Sequence, residues 1–248
     1  MNEKIRISSV SYTNMLPFIY GLENSGIIDS IDLTFDVPSA CATKLIEGQA
    51  DIGIVPVAAL LELPHYEIIS DYCLGADGEV DSVFIFSEKP ISEISSLRLD
   101  DQSRTSNGLA RLLLSQFWGR DDVQILREGE ADAFVQIGDR TFGQKHKYKY
   151  YYDLAHYWKE FSGLPFTFAV WISISPLTAE FKAAFNQALA YGLENREIVI
   201  AQLPTREDFD YGKYLRKNID YVFDESKRQA MDKYLAWMKA GQDELQMI

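Results

Sequence analysis

Short apolar, strand-like segments alternate with helical ones along nearly the whole chain, and no Pro/Gly/Ser-rich linker interrupts them. That order confines the fold to an α/β architecture, because strand–helix–strand passages favour parallel pairing with helices covering the sheet. Lys4 to Val10 alternates as a first strand and leads through Ser11-Tyr12-Thr13-Asn14 into the helical MLPFIYGLE. Pro17 is compatible with that helix because it lies in the first turn, where its missing N–H would go unpaired anyway. Ile31 to Pro38 is a second strand, after which Ser39 is placed to cap the helix ACATKLIEG and Gly48 to end it. ADIGIVPVAAL is nearly continuous in apolar residues, as a strand buried on both faces should be. Further strands are expected at Ser82 to Ser87 and Asp132 to Asp139. Helical faces are set by Leu109, Leu112, Leu113 and Phe117, by Phe181, Ala184, Phe185, Ala188 and Leu189, and by Met231, Tyr234, Leu235 and Met238.

A chain of 248 residues makes one large domain or two modest ones. Without a linker, two units require the chain to cross between them twice. The apolar stretches at 82–87 and 166–174 are the candidates for those crossings.

Charge removes several classes of partner. Lys and Arg number 24 against 37 Asp and Glu, a net charge of −13. Nucleic acid requires a dense basic face, and an anionic membrane surface repels such a chain. A small anionic ligand is still allowed, since a few local donors override a distant field. Cys41 and Cys73 match no metal or redox spacing and read as buried, reduced thiols. The N-terminal MNEKIRISSVSY lacks an apolar signal region and no apolar run reaches a membrane span, so a cytoplasmic location is expected.

Three strand-to-helix junctions carry clustered hydroxyl and amide side chains: Ser11/Thr13/Asn14, Ser39, and Ser103/Thr105/Ser106/Asn107. Each is a candidate anion cradle, and equally an ordinary helix cap. Motifs for dinucleotides, P-loops and serine hydrolases are missing. His65, His146 and His156 are scattered, so no zinc or iron site is expected. His146 lies in the basic-aromatic run KHKYKYYY, which reads as a solvated strand or loop. Asp139 and Asp51, each beside a strand end, suit a ligand contact or a turn cap.

Taken together, SYTNMLPFIYGLE, PSACATKLIEGQADIGIVPVAAL, VDSVFIFSEKPISEI, LDDQSRTSNGLARLLL, QIGDR and YDLAHYWKEFSGLPFTFAVW resemble the chorismate dehydratases of the futalosine route to menaquinone. The resemblance runs from about Ile5 to Trp171 and is weaker in the C-terminal helices. It implies a two-lobed periplasmic-binding-protein-like fold, each lobe a mainly parallel sheet, with a ligand cleft between them. Residues 1–87 plus 170–248 would form one lobe and 88–169 the other. The implied reaction removes water from chorismate, a small dianion, without metal or organic cofactor.

By the same resemblance, Asn14 and Ser82 are the catalytic pair. Ser39, Ser103, Arg104, Thr105, Ser106, Gly138 and Asp139 would bind substrate. Thr13 and Met15 replace the commoner Leu and Thr beside the asparagine, and SGLPFTFAVW replaces TGLPFVFAVW, which bears on cleft shape. The matched motifs contain no histidine, and Asp139 has no evident tuning partner, so the substrate's own enolpyruvyl carboxylate is a candidate base. A non-catalytic small-anion receptor or sensor of the same fold is the alternative.

Overall fold

Two sheets organise the protein, and the chain visits the second only after building most of the first. The computed structural model describes residues 4–246, with the side chains of Ser39 and residues 241–246 outside that description. Strands β1 (Ile5–Val10), β2 (Ile31–Asp36), β3 (Ile52–Pro56) and β4 (Glu67–Ala76) open the first sheet. The second sheet comprises β5 (Val83–Ser87), β6 (Ser96–Arg98), β7 (Gln124–Leu126), β8 (Ala133–Ile137) and β9 (Tyr150–Asp153). The chain then returns as β10 (Phe166–Ser173) and β11 (Asp220–Val222), giving orders β11-β4-β10-β3-β1-β2 and β7-β6-β8-β5-β9. All residues of β3 and β5 are buried, which is why both read as unbroken apolar runs.

The sheets are mixed where mainly parallel ones were expected. β1 runs parallel to β2 and β3, and β6 runs parallel to β7 and β8. Strands bordering the crossings run the other way: β10 is antiparallel to β3 and β4, and β5 to β8 and β9. A strand entering from the other lobe arrives from the far end of the sheet, so it inserts antiparallel. The two strands expected to cross do not. Val83–Ser87 pairs wholly within the second sheet and Phe166–Ser173 wholly within the first. We therefore place the lobe limits a few residues earlier, at 4–82 with 166–246 and at 83–165.

Helices α1 (Leu16–Asn24), α2 (Pro38–Ile46), α3 (Arg104–Leu112), α4 (Leu154–Ser162), α5 (Ala179–Glu194), α6 (Arg196–Gln202), the single turn α7 (Tyr211–Lys213) and α8 (Glu225–Gln246) flank the sheets. Leu109, Leu112 and Leu113 are buried as their spacing predicts, as are Phe185, Ala188, Leu189, Met231 and Tyr234. Ala184 is exposed. The stripe on α5 is turned by its close approach to α1, where a Cβ on Gly192 would run into the Pro17 carbonyl and one on Gly21 into that of Ala188. α2 begins two residues earlier than expected, with Val37 in the cap position and Pro38 in the first turn. Ser39 is thus inside the helix and does not cap it, and its side chain lies outside the described residues. Cys41 and Cys73 are free and buried, and burial pushes the Cys41 thiol up to about 11.

Asp153 ties the start of α4 to the outgoing crossing. At the start of α4 its carboxylate accepts the N–H groups of Ala155 and His156, and from the outgoing crossing those of Val80 and Asp81 at 3.2 and 2.8 Å. Lys159 adds an ion pair to Asp77 at 2.6 Å. The four N–H bonds favour the carboxylate, but burial outweighs them and raises the Asp153 carboxyl from 3.8 to about 6. With a raised folded-state pKa, the associated stability is present below the unfolded value and is lost as pH rises through the folded one. Urea midpoints of the wild type and Asp153→Asn, compared at about pH 4.5 and 7, should show the wild type's advantage shrinking at the higher pH. An advantage that grows would mean that the four N–H groups outweigh burial.

Candidate functional site

Ligands in open α/β sheets collect beyond the carboxyl ends of strands, where helix N-termini converge. Here Val10, Pro56 and Ile137, which end β1, β3 and β8, all line one cavity between the lobes. It holds about 620 Å³ of empty space, solvent at its mouth included. Asn14, Ser82, Ser103, Thr105, Ser106 and Gly138 line it together. Its remaining lining is largely apolar, including Ile54, Leu74, Phe168 and Ile219. Among the described lining residues none is Asp, Glu, Lys, Arg or His.

Each polar group is held by a nameable contact. Asn14 stands in the turn Thr13–Met15 between β1 and α1, and its carbonyl accepts the Tyr221 hydroxyl at 2.9 Å. Its Oδ1 is buried without a partner. Such an orphan acceptor costs about 1–3 kcal/mol unless a ligand or water satisfies it. Ser82 precedes β5 and is 1% exposed. Its carbonyl accepts the Gly138 N–H at 2.8 Å, and its Oγ accepts the Tyr214 hydroxyl at 3.0 Å.

At the start of α3, Ser103 Oγ accepts the Ser106 N–H at 3.1 Å and lies 2.8 Å from Ser106 Oγ. Thr105 Oγ1 accepts the Ala58 N–H at 3.1 Å, leaving its own hydrogen to donate. The first-turn N–H groups of Arg104 and Thr105 have no capping partner among the described residues. This helix end therefore offers several donors and a favourable dipole to an anion.

Two expected ligand contacts lie elsewhere. Arg104 is turned outward, more than half exposed, and pairs with Glu62. One residue along a helix rotates a side chain by about 100°, so the step from Ser103 carries Arg104 off the cavity face. Asp139 spans the lobes instead: its carboxylate accepts the Thr13 N–H at 3.1 and 3.2 Å and the Thr13 hydroxyl at 2.9 Å. Burial raises its pKa, with the bonds from Thr13 opposing. Asp51 likewise serves structure, pairing with Arg6 at 2.7 Å. Gly138, at φ +64°, occupies a conformation that L side chains rarely adopt, and a Cβ there would press on the Tyr12 ring.

Tyr12, Tyr214 and Tyr221 were not among the expected site residues. Tyr12 lines the cavity and donates to Gln102 Oε1 at 2.6 Å, a second bond between the lobes. The C-terminal tyrosines belong to no local motif, so only tertiary structure brings them to the site. Among the described residues no group of three or more His, Cys, Asp or Glu is placed to hold a metal, and no helix is long and apolar enough to cross a membrane.

Comparison with known proteins agrees with this geometry. Residues 5–240 match the menaquinone biosynthesis family, which extends the likeness through β11 into α8. The protein AF1704 of Archaeoglobus fulgidus superposes with a TM-score of 0.74 at 16% identity, covering 96% of this chain and 98% of that one. The Candida albicans CA3427 product, described as having the generic periplasmic binding protein fold, gives 0.68 at 11% identity over 96% and 90%. The periplasmic aliphatic sulphonate binding protein SsuA of Escherichia coli gives 0.61 at 13% over 98% and 88%. These likenesses establish a two-lobed periplasmic-binding-protein-like fold, and the chain belongs to the menaquinone biosynthesis family.

The clasp between Thr13 and Asp139 has a measurable consequence. Asp139→Ala leaves the buried Thr13 N–H without its acceptor and should cost about 1–3 kcal/mol, whereas Asp139→Asn keeps an acceptor oxygen and should cost less than half as much. Equal losses in thermal or urea denaturation would show that charge, not hydrogen bonding, closes the clasp.

Proposed function

We propose that this member of the menaquinone biosynthesis family is a chorismate dehydratase, a hydro-lyase that converts chorismate to 3-[(1-carboxyvinyl)oxy]benzoate and water. The observation that carries this reading is a cavity presenting Asn14 Oδ1 and the Ser82 hydroxyl beside a helix N-terminus, with no titratable acid or base of ordinary pKa in its lining. That setting favours a reaction whose base comes from the substrate, and chorismate carries one.

Dehydration breaks the C3–H and C4–O bonds of the chorismate ring and forms the C3–C4 double bond that makes it aromatic. Charge developing at C3 delocalises through the adjoining double bond toward the ring carboxylate. Donors aimed at that carboxylate therefore stabilise the transition state more than the ground state. The Thr105 and Ser106 hydroxyls and the open N–H groups of α3 suit that task. The enolpyruvyl carboxylate, attached through oxygen at C3, takes the C3 proton and passes it to the C4 hydroxyl, which leaves as water. Ser82 donates to the departing C4 oxygen while Asn14 Oδ1 accepts from a hydroxyl, so the pair holds chorismate in the reactive geometry.

The anionic substrate fits an acidic protein only if its site works at short range. The helix end and hydroxyls do so without a cationic side chain in the lining, so raising salt should leave kcat/KM unchanged or raise it slightly. The alternative, a non-catalytic receptor or sensor, draws on the fold shared with SsuA and would bind chorismate without changing it.

Incubation of the purified protein with chorismate, followed by absorbance of the aromatic product, separates the two. Asn14→Ala and Ser82→Ala should lower kcat by about a hundredfold or more, while Asp139→Asn, which lies outside the cavity lining, should retain most of it. Binding without turnover would support the receptor, and a flat loss on Asp139→Asn with folding intact would return the base to the protein.

A further inference from the structure

Three tyrosines from the last third of the chain each reach one component of the site. Tyr214 donates to Ser82 Oγ at 3.0 Å, Tyr221 to the Asn14 carbonyl at 2.9 Å and Tyr234 to the Thr105 carbonyl at 2.8 Å. Their exposures are 0, 3 and 0%. Two of the three bond to backbone and fix where a segment lies. Tyr214 differs, because it bonds the side chain of a residue assigned to the chemistry.

A phenol has a single hydrogen, and so has a serine hydroxyl, so the direction of one bond constrains the next. Were Ser82 to donate to Tyr214, the phenolic hydrogen would need another acceptor. The Asn14 side chain also bonds the phenol, in the sense that lowers its pKa, as an N–H donated to the phenolic oxygen does, while Asn14 Oδ1 receives no hydrogen bond. With Tyr214 donating, the Ser82 oxygen is already an acceptor and its hydrogen is directed to the cavity that Ser82 lines. Burial also raises the pKa of Tyr214, which keeps the phenol protonated. The ring itself is seated independently of its hydroxyl, packed 5.3 Å from both Phe142 and Phe209, which stack on each other at 3.7 Å.

We propose that Tyr214 is a positioning residue that fixes the Ser82 hydroxyl as a hydrogen-bond donor into the cavity. The kinetic part rests on the dehydratase reading. Without the phenolic hydrogen, the Ser82 hydroxyl gains a second orientation and spends less time aimed at the departing oxygen. The loss falls on the step in which that oxygen becomes charged, so it appears in kcat more than in KM.

The test is a double-mutant cycle of Tyr214→Phe and Ser82→Ala, with kcat and KM for chorismate read in all four proteins. Phe keeps the aromatic packing, so Tyr214→Phe should fold. It should lower kcat roughly tenfold, the worth of one well-placed hydrogen bond, with KM changed less than about twofold. In the Ser82→Ala background the same change should alter kcat by less than about twofold. A tenfold loss persisting in that background, or wild-type kcat in Tyr214→Phe alone, would overturn the proposal while leaving the dehydratase reading standing. If the wild type fails to convert chorismate, that reading falls separately and the same cycle is read in urea midpoints. There Tyr214→Phe should lower the midpoint more when Ser82 is present than when it is alanine, and additive shifts would overturn the proposal.

Discussion

Hydrogen bonds across the lobe interface are the constraint on which the site depends. Tyr12 reaches Gln102, Thr13 reaches Asp139, and the Ala58 N–H reaches Thr105. Each joins a residue near the end of a first-sheet strand to one near a helix or strand end of the second lobe. These bonds set the distance between Asn14 in one lobe and the start of α3 in the other, with Ser82 at the crossing between them. Thr105 serves both as an interlobe contact and as part of the proposed anion cradle. Asp153 and the ion pair of Lys159 with Asp77 hold α4 against the outgoing crossing.

A chain of net charge −13 encloses a cavity without a charged side chain in its described lining. Desolvating a charge is expensive, and a buried carboxylate would repel the proposed dianionic substrate. Neutral donors avoid both costs and, in the proposed reaction, need not reorganise as charge moves through the ring. Nearby titratable groups lie outside the lining and have partners: Arg104 pairs with Glu62, Arg140 pairs with Asp100 and bonds the Tyr12 hydroxyl, and Asp139 is held by Thr13.

Much of this was legible in the sequence, for reasons that also explain the rest. Strand and helix order follows from local apolar periodicity, and the buried faces of β3 and β5 follow from their unbroken runs. Strand direction at the crossings depends on how the chain returns, which the segment Phe166–Ser173 does not encode by itself. The hydroxyl-rich junctions were visible as turns, and Asn14, Ser82 and Ser103/Thr105/Ser106 do line one cavity. Which way each side chain faces was not visible. Arg104 turns outward between Ser103 and Thr105, which face in, and Asp139 turns toward Thr13. Tyr214, Tyr221 and Tyr234 were beyond reach for a different reason: each makes its contact across more than 120 residues of sequence, and no local pattern records it.

The central claim is that the protein braces and polarises the substrate while the substrate supplies the base. The pH dependence of kcat/KM for chorismate tests it most directly, since that profile reports essential acids and bases of the free enzyme and substrate. Substrate carboxylates are fully ionised well below neutrality, and the described cavity lining holds only groups that do not titrate near it. The account predicts a flat profile between about pH 6 and 9. An ionisation limb within that window, moved or abolished by replacing one protein side chain, would contradict it.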